Sequence, residues 1–203
     1  MARDFDELDF DLALNSIQSG KATGFDGLFP EFLKNIGVNT KRWLVKFYNN
    51  ILSTSKLPKL FRKAKILAIL KPGKDPDLPD SYRPISLFSV GYKLLERLLH
   101  NRISPLIDQV IPCEQAGFRP NRKCFDQVAA LTSYIETGFQ RNLKTAVAFI
   151  YLSAVYDTVW IRGLLYKFLC VVPCVTLFKL FESMLSYRHI QVFINGKSSQ
   201  CKL

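Results

Sequence analysis

The chain has 203 residues, 48% of them hydrophobic and 22% charged, with 28 Lys and Arg against 17 Asp and Glu for a formal charge of +11. A chain of that length can form one large domain or two small ones, burying roughly 70% of its surface on folding, and no apolar run reaches the ~18 residues of a membrane span. Residues 1–12 hold one base and five acids, so the remainder carries +15, an excess that points to a polyanionic partner, most economically nucleic acid.

Leu8, Leu12 and Ile17 recur at near-helical spacing and predict an N-terminal helix that breaks at SGKATGFDG. Two helices follow, one over residues 29–36 and a longer one after an Asn39/Thr40 cap signal, with Trp43, Leu44, Phe47 and Ile51 along one face. Pro58 closes that region. Residues 64–70, AKILAIL, are short, apolar and bounded by KPGKDPDLPD, which predicts a strand and then a turn-rich loop; residues 82–87 return as a second strand. Residues 90–99 form an amphipathic helix with Leu94, Leu95, Leu98 and Leu99 inward and Lys93, Arg97 and Arg102 among them. After IPCEQAGFRPNRK comes a helix over residues 125–139, with Val128, Leu131 and Ile135 on one face. Residues 145–152 are continuously apolar, the pattern of a strand buried on both faces, and predict a central strand. Two short helices are expected at residues 162–169 and 173–186, the second with Pro173 in its first turn. Near the end, Asn195-Gly196 flanked by apolar alternation predicts a hairpin.

The first ten residues, MARDFDELDF, show neither a basic leader nor an apolar core, so no secretory signal is visible and an intracellular chain is expected. Cys113, Cys124, Cys170, Cys174 and Cys201 form an odd, irregularly spaced set that argues against a disulfide framework. Cys170 and Cys174 make a C-x3-C pair without a second pair, and His100 and His189 complete no motif for tetrahedral zinc.

Several cations are candidates for contact with a polyanion. Lys71 and Arg83 frame a turn between two predicted strands, a placement suited to facing a groove that holds phosphates. For Arg83 the alternative is the plain reading of a solvated surface arginine; Lys63, Lys65 and Lys74 stand evenly between the two roles. In QAGFRPNRK, Phe118 lies among Arg119, Arg122 and Lys123. Cations for a backbone and a ring for stacking suit a single nucleic-acid strand; the alternative puts Phe118 in the core and leaves the basic side chains solvated. Lys21 of KATGFDG is a candidate nucleic-acid contact, whereas Gly24 and Gly27 serve backbone geometry.

The blocks KATGFDG, KPGKDPDLPDSYRPISL, KLLERLLHNRI, EQAGFRPNRKCFDQV and AFIYLSAVYDTVW resemble, in order and spacing, the fingers and early palm of reverse transcriptases from non-LTR retrotransposons, most closely the jockey group. The resemblance covers almost the whole chain. It implies an α+β fold, with a helical fingers segment over residues 1–60 and further fingers plus a partial palm over residues 61–203. This would be a right-hand polymerase truncated before its catalytic hairpin and thumb. It also implies an RNA-directed DNA polymerase using an RNA template, a DNA primer, dNTPs and Mg2+, without a membrane partner. Oligomeric state, and nucleus against cytoplasm, stay open. By the same resemblance the strand pair framed by Lys71 and Arg83 covers the incoming nucleotide, with Arg83 the main candidate to contact its phosphates, and the loop bearing Phe118, Arg119, Arg122 and Lys123 lies near template and nucleotide. Tyr156 takes the place of a steric gate against a ribose 2′-hydroxyl, beside the plain reading of a tyrosine packed at a strand-to-helix turn.

One departure stands out. The family pattern F-x-D-L-s-x-A-[FY]-D matches at Phe149, Leu152, Tyr156 and Asp157, but its catalytic aspartate position is Tyr151. Two-metal nucleotidyl transfer needs carboxylates that hold divalent ions about 3.5–4 Å apart, and a phenol with a pKa near 10 is a poor oxygen ligand for magnesium. Asp157, six residues on, is a weak substitute. The family's P-Q-G block and paired A-D-D aspartates do not occur in these 203 residues. The expectations are therefore a fragment inactive by itself or, alternatively, a non-catalytic basic fragment that binds nucleic acid. A third reading, that the fragment does little at all, expects poor solubility from an unpaired apolar strand edge.

Overall fold

The computed structural model describes residues 3–152, 155–156, 158–194 and 196–202. The chain divides into two compact units, Met1–Pro105 together with Ile161–Leu203, and Leu106–Trp160.

The first unit opens with α1 (Glu7–Asn15), whose first turn is capped reciprocally: the Asp6 carboxylate accepts from the Asp9 N–H (2.8 Å) and the Asp6 N–H donates to the Asp9 side chain (3.4 Å). The helix turns Phe10, Ala13 and Leu14 inward, next to buried Phe5. Leu8 and Leu12, expected on the packed face, are exposed. Ion pairs account for that rotation, because Glu7 meets Arg42 at 3.0 Å, Asp11 meets Lys41 at 2.7 Å and Asp9 meets Arg102 at 3.4 Å. The acidic start of the chain is thus bound to its own cations. Arg102 also donates to the Arg3 carbonyl (2.6 Å) and lies 4.1 Å over the Phe5 ring.

After the short α2 (Pro30–Lys34), α3 (Val38–Thr54) buries Val45, Tyr48, Ile51 and Leu52. Its N-cap is Gly37, so Asn39 and Thr40 lie inside the first turn rather than capping it. Trp43 is exposed and stacks on Phe47, with centroids 5.5 Å apart. The predicted strand pair is present as β1 (Lys63–Leu70) and β2 (Tyr82–Leu87), antiparallel, with Lys65 opposite Leu87 and Ile69 opposite Arg83.

The α4 helix (Val90–Ile107) fulfils its amphipathic pattern, with Leu94, Leu95, Leu98 and Leu99 all buried. Buried Ser89 caps it, its Oγ accepting from the Tyr92 N–H at 3.0 Å. Tyr48 donates its hydroxyl to the Gly91 carbonyl at 3.0 Å, joining α3 to the start of α4, and burial raises its pKa above the usual phenol range.

The C-terminal part of this unit contains α6 (Ile161–Val171) and α7 (Val175–Leu185), joined by stacking of Phe168 on Phe181 at 4.4 Å. Cys174 is the N-cap of α7, which puts Pro173 just before the helix rather than in its first turn. Then β3 (His189–Ile194) runs parallel to β1, with Lys63 opposite His189 and Leu67 opposite Phe193, and β4 (Lys197–Ser198) pairs antiparallel with β3. The sheet order is β2-β1-β3-β4. The expected hairpin is seen in the pairing of Ile194 with Lys197 and in Gly196 at φ +77°; Asn195 lies outside the described residues.

The second unit contains α5 (Cys124–Gln140), whose Phe125, Val128, Tyr134 and Phe139 are exposed. Residues 145–152 correct an expectation. They form no strand, and Phe149, Ile150 and Tyr151 are 86–89% exposed. A continuous apolar run marks a central strand only when partners flank it on both sides. The central places in this sheet belong to β1, held between β2 and β3, and to β3, held between β1 and β4. Both central places are filled, and residues 145–152 pair with no strand among the described residues.

Candidate nucleic-acid interface

Alternation along β1 sorts the sheet into two faces. Ala64 and Ile66 are buried, so the opposite face presents Lys63, Lys65, Leu67 and Ile69. The pairing register adds Arg83, Ile85 and Leu87 from β2 and His189, Gln191 and Phe193 from β3 to that face. None of these positions is acidic. Arg83 is exposed, and among the described residues its side chain has no hydrogen-bond or ion-pair partner. It stands four residues along the ladder from Lys65, a separation of roughly 13 Å. The Lys65 ammonium lies 4.7 Å from the centroid of the Phe193 ring, which in turn meets Phe25 of the KATGFDG segment at 6.1 Å.

Lys71 has a different setting. Its N–H donates to the Ser81 carbonyl and its ammonium to the Asp80 carbonyl, each at 2.8 Å, so it closes the neck of the 71–81 loop. The Tyr82 hydroxyl donates to the Pro76 carbonyl (2.9 Å) and ties down the loop's far side. Lys21 is exposed with no partner among the described residues. Nearby, Gly24 passes so close to the Phe88–Ser89 backbone that a Cβ would sit 2.6 Å from Phe88 C and Ser89 N, whereas Gly27 has φ +65°. Both glycines meet the geometric need read from the sequence.

In the second unit, Phe118 is 95% exposed with φ +58°, and its ring meets that of Tyr156 (75% exposed) edge to face, with centroids 6.3 Å apart and planes at 79°. Arg119 turns back into its own loop, donating to the Pro112 carbonyl (3.1 Å) and pairing with Asp108 (3.6 Å). Arg122 and Lys123 face solvent, and the Lys123 N–H donates to the Asp126 carboxylate at the start of α5 (3.1 Å). The loop thus brings Phe118 and Tyr156 together, leaves Arg122 and Lys123 available, and uses Arg119 as an internal clasp. The pairing of Phe118 with Tyr156 joins positions 38 residues apart, and no local sequence signal announces it.

Tyr151 is 89% exposed, and Asp157 lies outside the described residues. Among the described residues no group of three His, Cys, Asp or Glu side chains could hold a metal ion. A phenol in place of a carboxylate at position 151 does not fit a pair of magnesium ions. No helix among the described residues is long and apolar enough to cross a membrane.

Residues 69–202 match the reverse transcriptase (RNA-dependent DNA polymerase) family. The chain belongs to that family, and its reverse transcriptase domain has mixed α+β content around a small mixed sheet. Among curated relatives, the probable RNA-directed DNA polymerase from transposon BS of Drosophila melanogaster is 37% identical over 76% of this chain and 17% of its own length. The RNA-directed DNA polymerase from mobile element jockey of Drosophila funebris is 32% identical over 93% of this chain and 21% of its own. Its Drosophila melanogaster counterpart is 31% identical over 90% and 20%. The chain therefore spans about a fifth of the length of these relatives.

Proposed function

We propose that the chain is the fingers and the beginning of the palm of a non-LTR retrotransposon reverse transcriptase, residues 1–60 being a helical fingers segment and residues 61–203 the remainder. In this reading Arg83, with Lys71 beside it, meets the phosphates of a dNTP, and Lys21, Phe118, Arg122 and Lys123 meet the RNA template, with a DNA primer as the third partner. Arg119, by its bonds to Pro112 and Asp108, shapes the template loop.

Tyr151 carries the second half of the proposal, that these 203 residues do not polymerise by themselves. The resemblance requires a carboxylate there to hold Mg2+, and the blocks that supply the partner aspartates do not occur in the sequence. Purified chain with a primed RNA template, dNTPs and Mg2+ is expected to give no extension above a blank, and Tyr151→Asp is expected to give none either. Extension by the unaltered chain would refute this.

The acid-free cationic sheet face favours a second reading, a basic module that binds nucleic acid without catalysis. Contact with about five phosphates of a single strand gives a log–log salt slope of about −3.5. A salt titration with single-stranded RNA checks it; absence of binding at 50 mM salt rejects it.

A further inference from the structure

We infer that Phe118 and Tyr156 act as one two-ring platform on which a base of a single-stranded nucleic acid stacks, with Arg122 and Lys123 taking the adjoining phosphates. This rests on the proposed reading that the chain meets nucleic acid. It goes further in assigning the two aromatics one joint task, where the resemblance gives them separate ones, template contact and sugar gate.

Three observations carry it. First, two large aromatic side chains stay exposed while touching each other, and the contact is edge to face at 6.3 Å. That geometry is the favoured one for an aromatic pair, and it leaves a face of one ring and an edge of the other open to solvent. Second, Phe118 is held at φ +58°, a left-handed backbone uncommon for a residue with a bulky side chain. The Arg119 clasp to Pro112 and Asp108 keeps the loop in that shape. Third, the nearest chain neighbours with free cationic ends are Arg122 and Lys123, both exposed at the start of α5. Exposed rings with exposed cations a few residues along the chain are what a flexible strand needs, since every base offers a π-face and every linkage a phosphate. An apolar protein partner would leave both cations unmatched.

The platform recognises base faces rather than sugars, so RNA and DNA strands should bind alike. It also makes the two rings interdependent, because the remaining ring loses its support when either is removed.

Fluorescence anisotropy of the full chain with 12-nucleotide labelled uridine RNA, thymidine DNA and abasic DNA tests this. Phe118→Ala is expected to weaken binding to the base-bearing strands about tenfold, to leave the abasic strand's affinity unchanged, and to leave the salt slope unchanged. Tyr156→Ala should match it, Tyr156→Phe should bind as the parent does, and the double variant should be no more than about twofold weaker than either single one. The variant Arg122→Gln/Lys123→Gln should instead flatten the salt slope by about 1.4 on all three strands.

Binding by the parent with Phe118→Ala equally tight overturns the platform and leaves the proposed function standing. Additive losses in the double variant overturn the joint action. A tenfold preference for DNA over RNA that Tyr156→Ala abolishes overturns it in favour of a sugar gate. Failure of the parent to bind any strand at 50 mM salt removes the reading beneath it as well.

Discussion

Replacing Gly24 by alanine tests whether the KATGFDG segment is seated against the β2–α4 corner as described. A Cβ built there meets Phe88 C at 2.6 Å, Ser89 N at 2.6 Å and Phe88 O at 2.7 Å. All three are backbone atoms, and they belong to a corner that cannot give way without disturbing Ser89, whose Oγ caps α4 at the Tyr92 N–H. Overpacking of a tight site costs about 1–3 kcal/mol, and a clash with backbone belongs in the upper part of that range. At about 2–4 °C per kcal/mol for a chain of this size, Gly24→Ala should melt roughly 5–10 °C below the parent. Gly27→Ala is the internal control. It places its Cβ in open space and carries the cost of φ +65° alone, about 1–2 kcal/mol, so its melting point should fall between the two. Circular dichroism melts of the three proteins decide it. A Gly24→Ala protein that melts within 1 °C of the parent, or above Gly27→Ala, refutes the close approach.

Leu95, fully buried on α4, should cost about 3 kcal/mol on truncation to alanine, read as a lower denaturant midpoint with an unchanged slope. The Asp6 carboxyl is held below the ordinary range by the Asp9 N–H and then by Arg3. A folded pKa depressed in this way stabilises above the unfolded value of about 3.9, and the effect is lost as pH falls through the folded value. The melting gap between the parent and Asp6→Ala should therefore be full above about pH 5 and narrow as pH falls below the unfolded value; a gap that does not narrow on acidification would mean the cap does not act through its charge.

The parts of the fold that sequence could deliver are those whose signal is local. AKILAIL and residues 82–87 read as paired strands because a short apolar run, a Pro- and Gly-rich loop and a return fall within 25 residues, and β1 and β2 pair as expected. The leucines of α4 repeat at helical spacing and are buried as that spacing requires. The parallel pairing of β1 with β3 left no such trace, since over 100 residues separate Lys63 from His189. Yet that pairing brings Lys63 and Lys65 onto one face with Phe193. The rotation of α1 was hidden for a related reason: Leu8 and Leu12 satisfy the helical period, but ion pairs to Arg42, Lys41 and Arg102 from distant helices select the Phe10 side. In the candidate interface, Arg119 and Arg122 are equivalent in composition. Only the folded loop distinguishes the arginine bound to Pro112 and Asp108 from the one left facing solvent.

The run TAVAFIYL, residues 145–152, shows what a strand-forming sequence does when the fold supplies no neighbour. It is rich in β-branched and aromatic residues, carries no charge and no proline, and exposes Phe149, Ile150, Tyr151 and Leu152. Those are the features of a segment that pairs with another copy of itself at an unprotected edge. A charge placed within the run should block that pairing without loss of stability, because an exposed side chain has little packing to lose. The expectation is that the parent shows concentration-dependent growth in light scattering, and that Ile150→Lys suppresses it while its melting point stays within about 2 °C of the parent's, the range of an exposed substitution. A melting point lowered by 5 °C or more would show that Ile150 is packed in solution. The run would then have found a partner strand, and the account of residues 145–152 as unpaired would fall.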